Sequence, residues 1–294
     1  MARAPQRRAI LFVLASSASF TVAAALVKAA AAMPIFELML FRSGIASVLM
    51  IPFIMKGGGW SVMRTRRPWG HALRVAAGLA GMFGAYYGYV HLPLAAATAL
   101  GFAMPLVLVI LSVPMLHERV SAGRIVSIAA GLVGVLLVVR PWQGAKGLPL
   151  FESGVVLAGV AAWAVAMVSI RQMGQAGERN LTIVVLFSIA CTAVSAVLSI
   201  GVWVTPPLAL WPVLLGVGVV SGGAQLLMTA GYRSGEASML APFEYSAILY
   251  TVALGWLVWG EVPGGWEAAG MFILASSGLL AWWREGRVSS SVAR

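Results

Sequence analysis

The chain has 294 residues, 61% of them hydrophobic and 10% charged, with a mean hydropathy of +0.93. Soluble domains carry about 25% charged residues, so a water-soluble globule with a polar skin is excluded and the chain belongs in a bilayer. The net charge of +11 does not point to nucleic acid, because the basic residues lie between hydrophobic runs and form no single patch.

A bilayer core about 30 Å thick takes about 20 apolar residues per helical span. Apolar runs divided by Gly, Pro and charge predict ten spans: 9–30, 34–55, 69–91, 93–116, 121–140, 150–172, 180–204, 208–232, 236–259 and 264–283. The first follows a basic pair, as a removable leader would, but it is long enough to span and has a counterpart later in the chain.

Along these spans, ionisable residues mark functional candidates, since each costs about 2.5–3.5 kcal/mol on insertion scales. The first span carries Phe20 and, near its end, Lys28; the second carries Glu37 near one face and Arg42 deeper. Lys28 and Glu37 lie close enough to the outer face to snorkel. On the third span Tyr86 and Tyr89 share a face, and Gly78, Gly81 and Gly88 allow close packing. Pro105, Pro114 and Pro242 suit helix bending, although packing alone explains them equally well. Trp163 lies mid-span in the sixth, unlike Trp203, Trp211, Trp259, Trp266, Trp282 and Trp283, which fit an interfacial belt.

The seventh span has a polar stripe of Ser188, Thr192, Ser195 and Ser199, and the eighth has Ser221, Gln225 and Thr229 at i, i+4 and i+8. Such stripes must face protein or water, and helix–helix hydrogen bonding accounts for them as well as substrate contact does. Glu244, followed by Tyr245, sits in the ninth span at a depth near that of Arg42. Arg42 is either a fixed strut paired with Glu244 or a docking point for a substrate carboxylate, with Glu244 then accepting an ammonium group or a proton.

There is no aspartate, the three histidines are scattered, and no HExxH is present. Metal ligation, a cofactor and an intramembrane enzyme are therefore not expected. The single cysteine, Cys191, lies in an apolar run and reads as a small core residue. With the N-terminus in the cytoplasm, sixteen of the twenty basic residues, Arg74 among them, fall on that side. Arg140 and Lys146 fall on the other, and Lys28 and Arg42 stay within or near the membrane. That asymmetry places both termini in the cytoplasm.

The stretch LHERVSAGR (116–124) is echoed 143 positions later by WGEVPGGWE (259–267), with Glu118 kept as Glu261 but Arg119 and Arg124 lost. At the same offset Phe20 falls on Trp163, Lys28 on Arg171 and Tyr89 on Tyr232. A duplicated unit of five spans inserts its second copy upside down, and the positive-inside rule then favours loss of the arginines.

Two five-span halves, with MPLVLVILSVPMLHERVSAG and APFEYSAILYTVALGWLVWGEVPGG in corresponding places, resemble the EamA repeats of the drug/metabolite transporter superfamily. Arg42 in LMLFRSGIAS resembles an arginine common in that family's second helix, whereas His117–Glu118 departs from its usual Gly-Glu. Within the superfamily the chain is similar to the YddG-type exporters of aromatic and other neutral amino acids.

The resemblance implies an all-α integral membrane protein of ten transmembrane helices in two inverted repeats. These divide the chain into a cytoplasmic segment 1–8, a first repeat 9–141, an outer linker 142–149, a second repeat 150–284 and a cytoplasmic tail 285–294. It implies a monomeric, multi-pass inner-membrane carrier exporting a small molecule, an amino acid or a similar metabolite, by alternating access. Import, exchange or drug efflux on the same fold is the alternative. Arg42, Trp163, Glu244, Tyr245, Tyr86, Tyr89, Phe20, Gln225 and Ser221 are the expected substrate contacts.

Overall fold

The computed structural model describes residues 3–104, 107, 111, 122–140, 142–143, 147–234 and 246–277, and among these there is no β-strand. The helices are α1 (Arg3–Ala29), α2 (Ile35–Lys56), α3 (Pro68–His91), α4 (Leu94–Gly101), α5 (Ala122–Val139), α6 (Leu150–Gln175), α7 (Asn180–Ser199), α8 (Trp211–Ser234), α9 (Ser246–Trp259) and α10 (265–277). Short 3-10 turns at Gly59–Met63 and Leu208–Leu210 precede α3 and α8.

Proline and glycine set the helix ends. Pro34, Pro93 and Pro149 stand immediately before α2, α4 and α6, and Pro68 occupies the first turn of α3. Proline lacks the amide hydrogen that a helix start leaves unpaired, and its fixed φ suits the first turn. After α2 the chain reverses through Gly58 at φ +115° and Gly59 at φ +62°, backbone that a side chain would strain.

Five of the described stretches are long and apolar enough to cross a membrane: Ile10–Ala29, Ile35–Lys56, Leu150–Gly174, Leu181–Ser199 and Leu208–Met228. The outward faces of the helices are apolar: Val197, Leu215, Val219, Leu249, Leu257 and Phe272 are all exposed. In lipid those faces cost nothing, and helices associate through packing and hydrogen bonds rather than through burial from water.

The helices pair crosswise. α1 runs along α8, α3 runs along α6, and α2 packs on both α7 and α8. At the α3–α6 crossing a Cβ on Gly84 would stand 2.7 Å from the Gly159 Cα, so two backbones touch. At α5–α10 a Cβ on Gly270 would stand 2.7 Å from the Gly134 carbonyl oxygen. At the α1–α8 crossing Ser16 Oγ donates to the Ala224 carbonyl at 3.0 Å. The seventh-span stripe acts as helix–helix bonding, with Thr192 and Ser47 hydroxyls 3.2 Å apart across α7 and α2.

One apolar core lies among α4, α5, α6 and α10, around Leu100, Val138, Val156 and Leu274. A second lies among α1, α2, α3, α7 and α8, around Val27, Leu38, Tyr86, Cys191 and Leu214. Cys191 is fully buried there as a small core residue. Tyr89 packs against both cores.

Because backbone meets backbone at Gly84, Gly84→Ala should separate α3 from α6 and destabilise the fold by about 1–3 kcal/mol. Gly154→Ala, a helix position with nothing within 4 Å, should leave the melting temperature unchanged or slightly raised. Thermal unfolding in detergent monitored by intrinsic fluorescence checks both, and equal melting temperatures would remove the Gly84 contact as a determinant.

Candidate functional site

A single face of α3 organises the site. Arg74, Gly78, Met82, Tyr86 and Tyr89 follow one another at spacings of four, four, four and three residues, which stack on one side of a helix. Opposite this face stand Arg42 from α2, Trp163 from α6, Phe187 and Cys191 from α7, and Ser221 from α8.

Arg74 is only 6% exposed, although its position near the start of the third span suggested a cytoplasmic charge. α3 begins at Pro68, so Arg74 lies nearly two turns in, roughly 9 Å from the helix start. Its guanidinium carbon lies 3.7 Å from the centre of the Phe187 ring and 5.5 Å from that of Trp163. Gly78 leaves the room: a Cβ there would stand 2.5 Å from the Phe187 ring and would run into the guanidinium as well. The ring contacts satisfy the face of the cation, but Nε and Nη1 are buried with no hydrogen-bond partner. Sequence reasoning missed Arg74; the signal was its distance from Pro68, which marks the helix start.

Arg42 is half-buried, and its Nη1 donates to Met82 Sδ at 2.7 Å, a weak acceptor for a charged donor. Among the described residues neither Arg42 nor Arg74 has a carboxylate partner. Tyr86, 6% exposed, lies beside Ser221, and its ring lies 6.3 Å from that of Tyr89. Trp163 rests on Gly81, whose Cβ would stand 2.9 Å from the indole.

The structure therefore brings together Arg42, Tyr86, Tyr89, Trp163 and Ser221. Gln225 lies one turn beyond Ser221 on α8. Phe20 is half-buried on α1, and no described contact joins it to the cluster. Glu244 and Tyr245 lie outside the described residues. The described residues contain no group of three or more His, Cys, Asp or Glu side chains able to hold a metal.

Both ends of the bundle are tied by buried polar contacts. Lys28 and Glu37 do not snorkel. Lys28 Nζ donates to Glu261 Oε1 at 2.5 Å and to the Leu92 carbonyl at 3.1 Å, while Glu261 Oε2 accepts from the Leu94 amide at 2.9 Å. Trp259, expected in an interfacial belt, places its ring 5.3 Å from the same ammonium. Glu37 is fully buried and accepts from the Val204 amide at 2.6 Å. Arg140 Nη2 donates to Glu267 at 2.7 Å.

At the opposite end Glu178, between α6 and α7, accepts from Thr65 Oγ1 and from the Arg66 amide, each at 2.8 Å. Its other oxygen stands 3.9 Å from His71 Nε2, one turn before Arg74 on α3. Burial pushes the Glu178 carboxyl up, but the hydrogen bonds from Thr65 and Arg66, the His71 ring and the Arg67 amide together carry it below the usual carboxylate range.

The sequence matches the model of the EamA-like transporter family twice, over residues 7–140 and 151–283. The chain belongs to the EamA-like transporter family. It is 31% identical over 263 residues to the pseudopaline exporter CntI of Pseudomonas aeruginosa, covering 89% of this chain and 91% of that protein. It is 27% identical over 240 residues to the riboflavin transporter of Brucella anthropi, covering 79% and 83%. To the S-adenosylmethionine uptake transporter of Rickettsia prowazekii it is 24% identical over 257 residues, covering 87% and 85%. A crystal structure 18% identical in sequence shares the fold, with a TM-score of 0.68 over 97% of this chain and 99% of that one. This EamA-family protein is thus a multi-pass inner-membrane transporter of small molecules and not an enzyme.

A depressed carboxyl pKa stabilises the fold fully above the unfolded value, about 4.3, and that stabilisation drains away as pH falls through the folded value. The melting temperature should therefore drop between about pH 5 and pH 3. Glu178→Gln should lower it at pH 7 and make the acid drop shallower. An acid drop of the same size in the variant would remove Glu178 as its source.

Proposed function

We propose that this EamA-family protein exports amino acids or similar carboxylate-bearing metabolites by alternating access, binding them at the Arg42–Arg74 face of α3. The carrying observation is that two guanidiniums without a described carboxylate partner face a wall of Tyr86, Tyr89, Trp163 and Phe187. A cation in such surroundings suits a substrate acid, and the rings suit a flat or apolar side chain.

The proposed frame is ten spans in two inverted repeats, 9–141 and 150–284, with both termini in the cytoplasm. The crosswise pairing supports it. In an inverted repeat α1 corresponds to α6 and α3 to α8, so α1 on α8 is the image of α3 on α6. The offset of 143 reaches single residues: Ser16 bonds Ala224, and their images are Gly159 and Gly81, where a Cβ on Gly159 would stand 3.4 Å from the Gly81 carbonyl oxygen. Substrate held between such halves is exposed to one side at a time as they rock. The contacts at both ends, Lys28–Glu261 and Glu178–Thr65, suit a closed or nearly closed position of that cycle.

Export stands ahead of uptake because the relative at 31% identity is named as an exporter. Uptake is the second reading, favoured by the similarity to S-adenosylmethionine uptake transporters.

The experiment is counterflow in proteoliposomes with no imposed gradient, across a panel of labelled amino acids. Exchange of aromatic or neutral members is expected. Arg42→Ala should cut the rate by about tenfold or more in protein that still inserts and folds. Trp163→Ala should impair it more than Trp256→Ala, whose side chain is 60% exposed. Full activity in Arg42→Ala would reduce that residue to a strut, and absence of any exchange would sink the amino-acid assignment.

A further inference from the structure

The charges at the α3 face do not balance. Of the nine glutamates in the chain, four of the five described ones are engaged elsewhere. Glu37 takes the Val204 amide, Glu178 the Thr65 hydroxyl and Arg66 amide, Glu261 the Lys28 ammonium and Glu267 the Arg140 guanidinium. Glu152 sits in the first turn of α6, away from the cluster. Hydropathy places one further acid, Glu244, well inside a span. Glu244 lies outside the described residues, and among those residues neither guanidinium has a carboxylate partner. Two like charges that act on each other are thus built into a low-dielectric interior with no counter-charge among the described residues, an arrangement that membrane proteins reserve for function.

The two cations are also placed apart. Arg42 meets α3 at Met82, while the Arg74 guanidinium reaches forward to the level of Gly78, one turn earlier, about 6 Å along the axis. The Arg74 guanidinium fills the space that Gly78 leaves beside the Phe187 ring. Arg74 is held flat against rings, so its face is occupied while in-plane donors stay unused. Unused in-plane guanidinium donors are what a carboxylate accepts from.

Resting on the transport function proposed above, we infer that the substrate carries two carboxylates, one held by Arg42 and the other by Arg74, with a flat or apolar body against Trp163 and Phe187. Arg74 is the residue that selects the second acid. An amino acid with one carboxylate leaves Arg74 as it stands in the structure. An amino acid with a second acid at the far end of its side chain neutralises it.

Three ligands of one shape separate the effects: phenylalanine, 4-carboxyphenylalanine and its uncharged isostere 4-carbamoylphenylalanine. Calorimetric titration of the full-length protein in nanodiscs should give 4-carboxyphenylalanine an affinity about tenfold or more above that of 4-carbamoylphenylalanine. In Arg74→Gln that ratio should fall to near one. Arg74→Lys keeps the charge but loses the planar fork and should give an intermediate ratio, which serves if the glutamine variant does not fold. Arg42→Gln should weaken all three ligands. A wild-type ratio near one, no binding of 4-carboxyphenylalanine, or a ratio that survives Arg74→Gln would each overturn the inference. Counterflow of neutral amino acids without preference for the added acid sinks the two-acid site and leaves the transport proposal standing. Preferential binding without any counterflow does the reverse.

Discussion

The site depends on the meeting of α3 and α6 at Gly84 and Gly159, where no side chain separates the two backbones. In a bilayer no hydrophobic force drives helices together, so such close approaches supply much of the cohesion. The same approach sets the site. With α6 drawn onto α3, Trp163 comes to rest on Gly81, and its ring reaches Arg74 about two turns away along α3. Glycine at 78 then leaves the volume into which Phe187 of α7 and the guanidinium fit side by side. A run of small residues that reads as mere packing is the scaffold for a charged group in the membrane.

That charged group is stabilised unevenly. Ring faces offset part of the desolvation of Arg74, but rings accept nothing along the guanidinium edge. Arg42 is met by a thioether, a poor acceptor. By contrast, every ion pair among the described residues lies near an end of the bundle, where loops can supply amides and carbonyls as further partners. Glu261 illustrates this, taking both an ammonium and a main-chain amide. Unpaired buried atoms occur at the ends too, at Glu37 Oε2, His71 Nε2 and Arg140 Nε, but Arg74 carries two, which is the arrangement expected where a bound molecule completes the interior.

Helix positions were largely legible because proline and glycine punctuate this chain. The expected 34–55, 69–91 and 121–140 correspond to Ile35–Lys56, Pro68–His91 and Ala122–Val139. Family membership was legible too, from the Arg42 context and the echoed glutamates, and five of the nine expected contacts meet in one cluster. What escaped was whatever depends on distant partners. Lys28 looks like a snorkelling residue until its partner, 233 residues away, is known. Arg74 was counted with the cytoplasmic charges because a charge near the start of a span normally turns toward water. Its burial depends on Phe187 and Trp163, contributed by two other helices. Trp259 was assigned to the lipid interface for the same reason, and only the Lys28 contact shows its inward role.

The crosswise pairing also bears on how the chain is made. Ser16 on α1 bonds a carbonyl 208 residues further along. At ordinary synthesis rates that partner leaves the ribosome about 10–40 s later. Through that interval α1 sits in the membrane with a polar edge of Ser16, Ser17 and Thr21 that the finished fold buries, and α3 likewise lacks α6. Thr21 copes locally by bonding the Ser17 carbonyl, but Ser16 has to wait. The first-made helices are completed only by the later ones, so biogenesis is settled where α1 meets α8 and α3 meets α6.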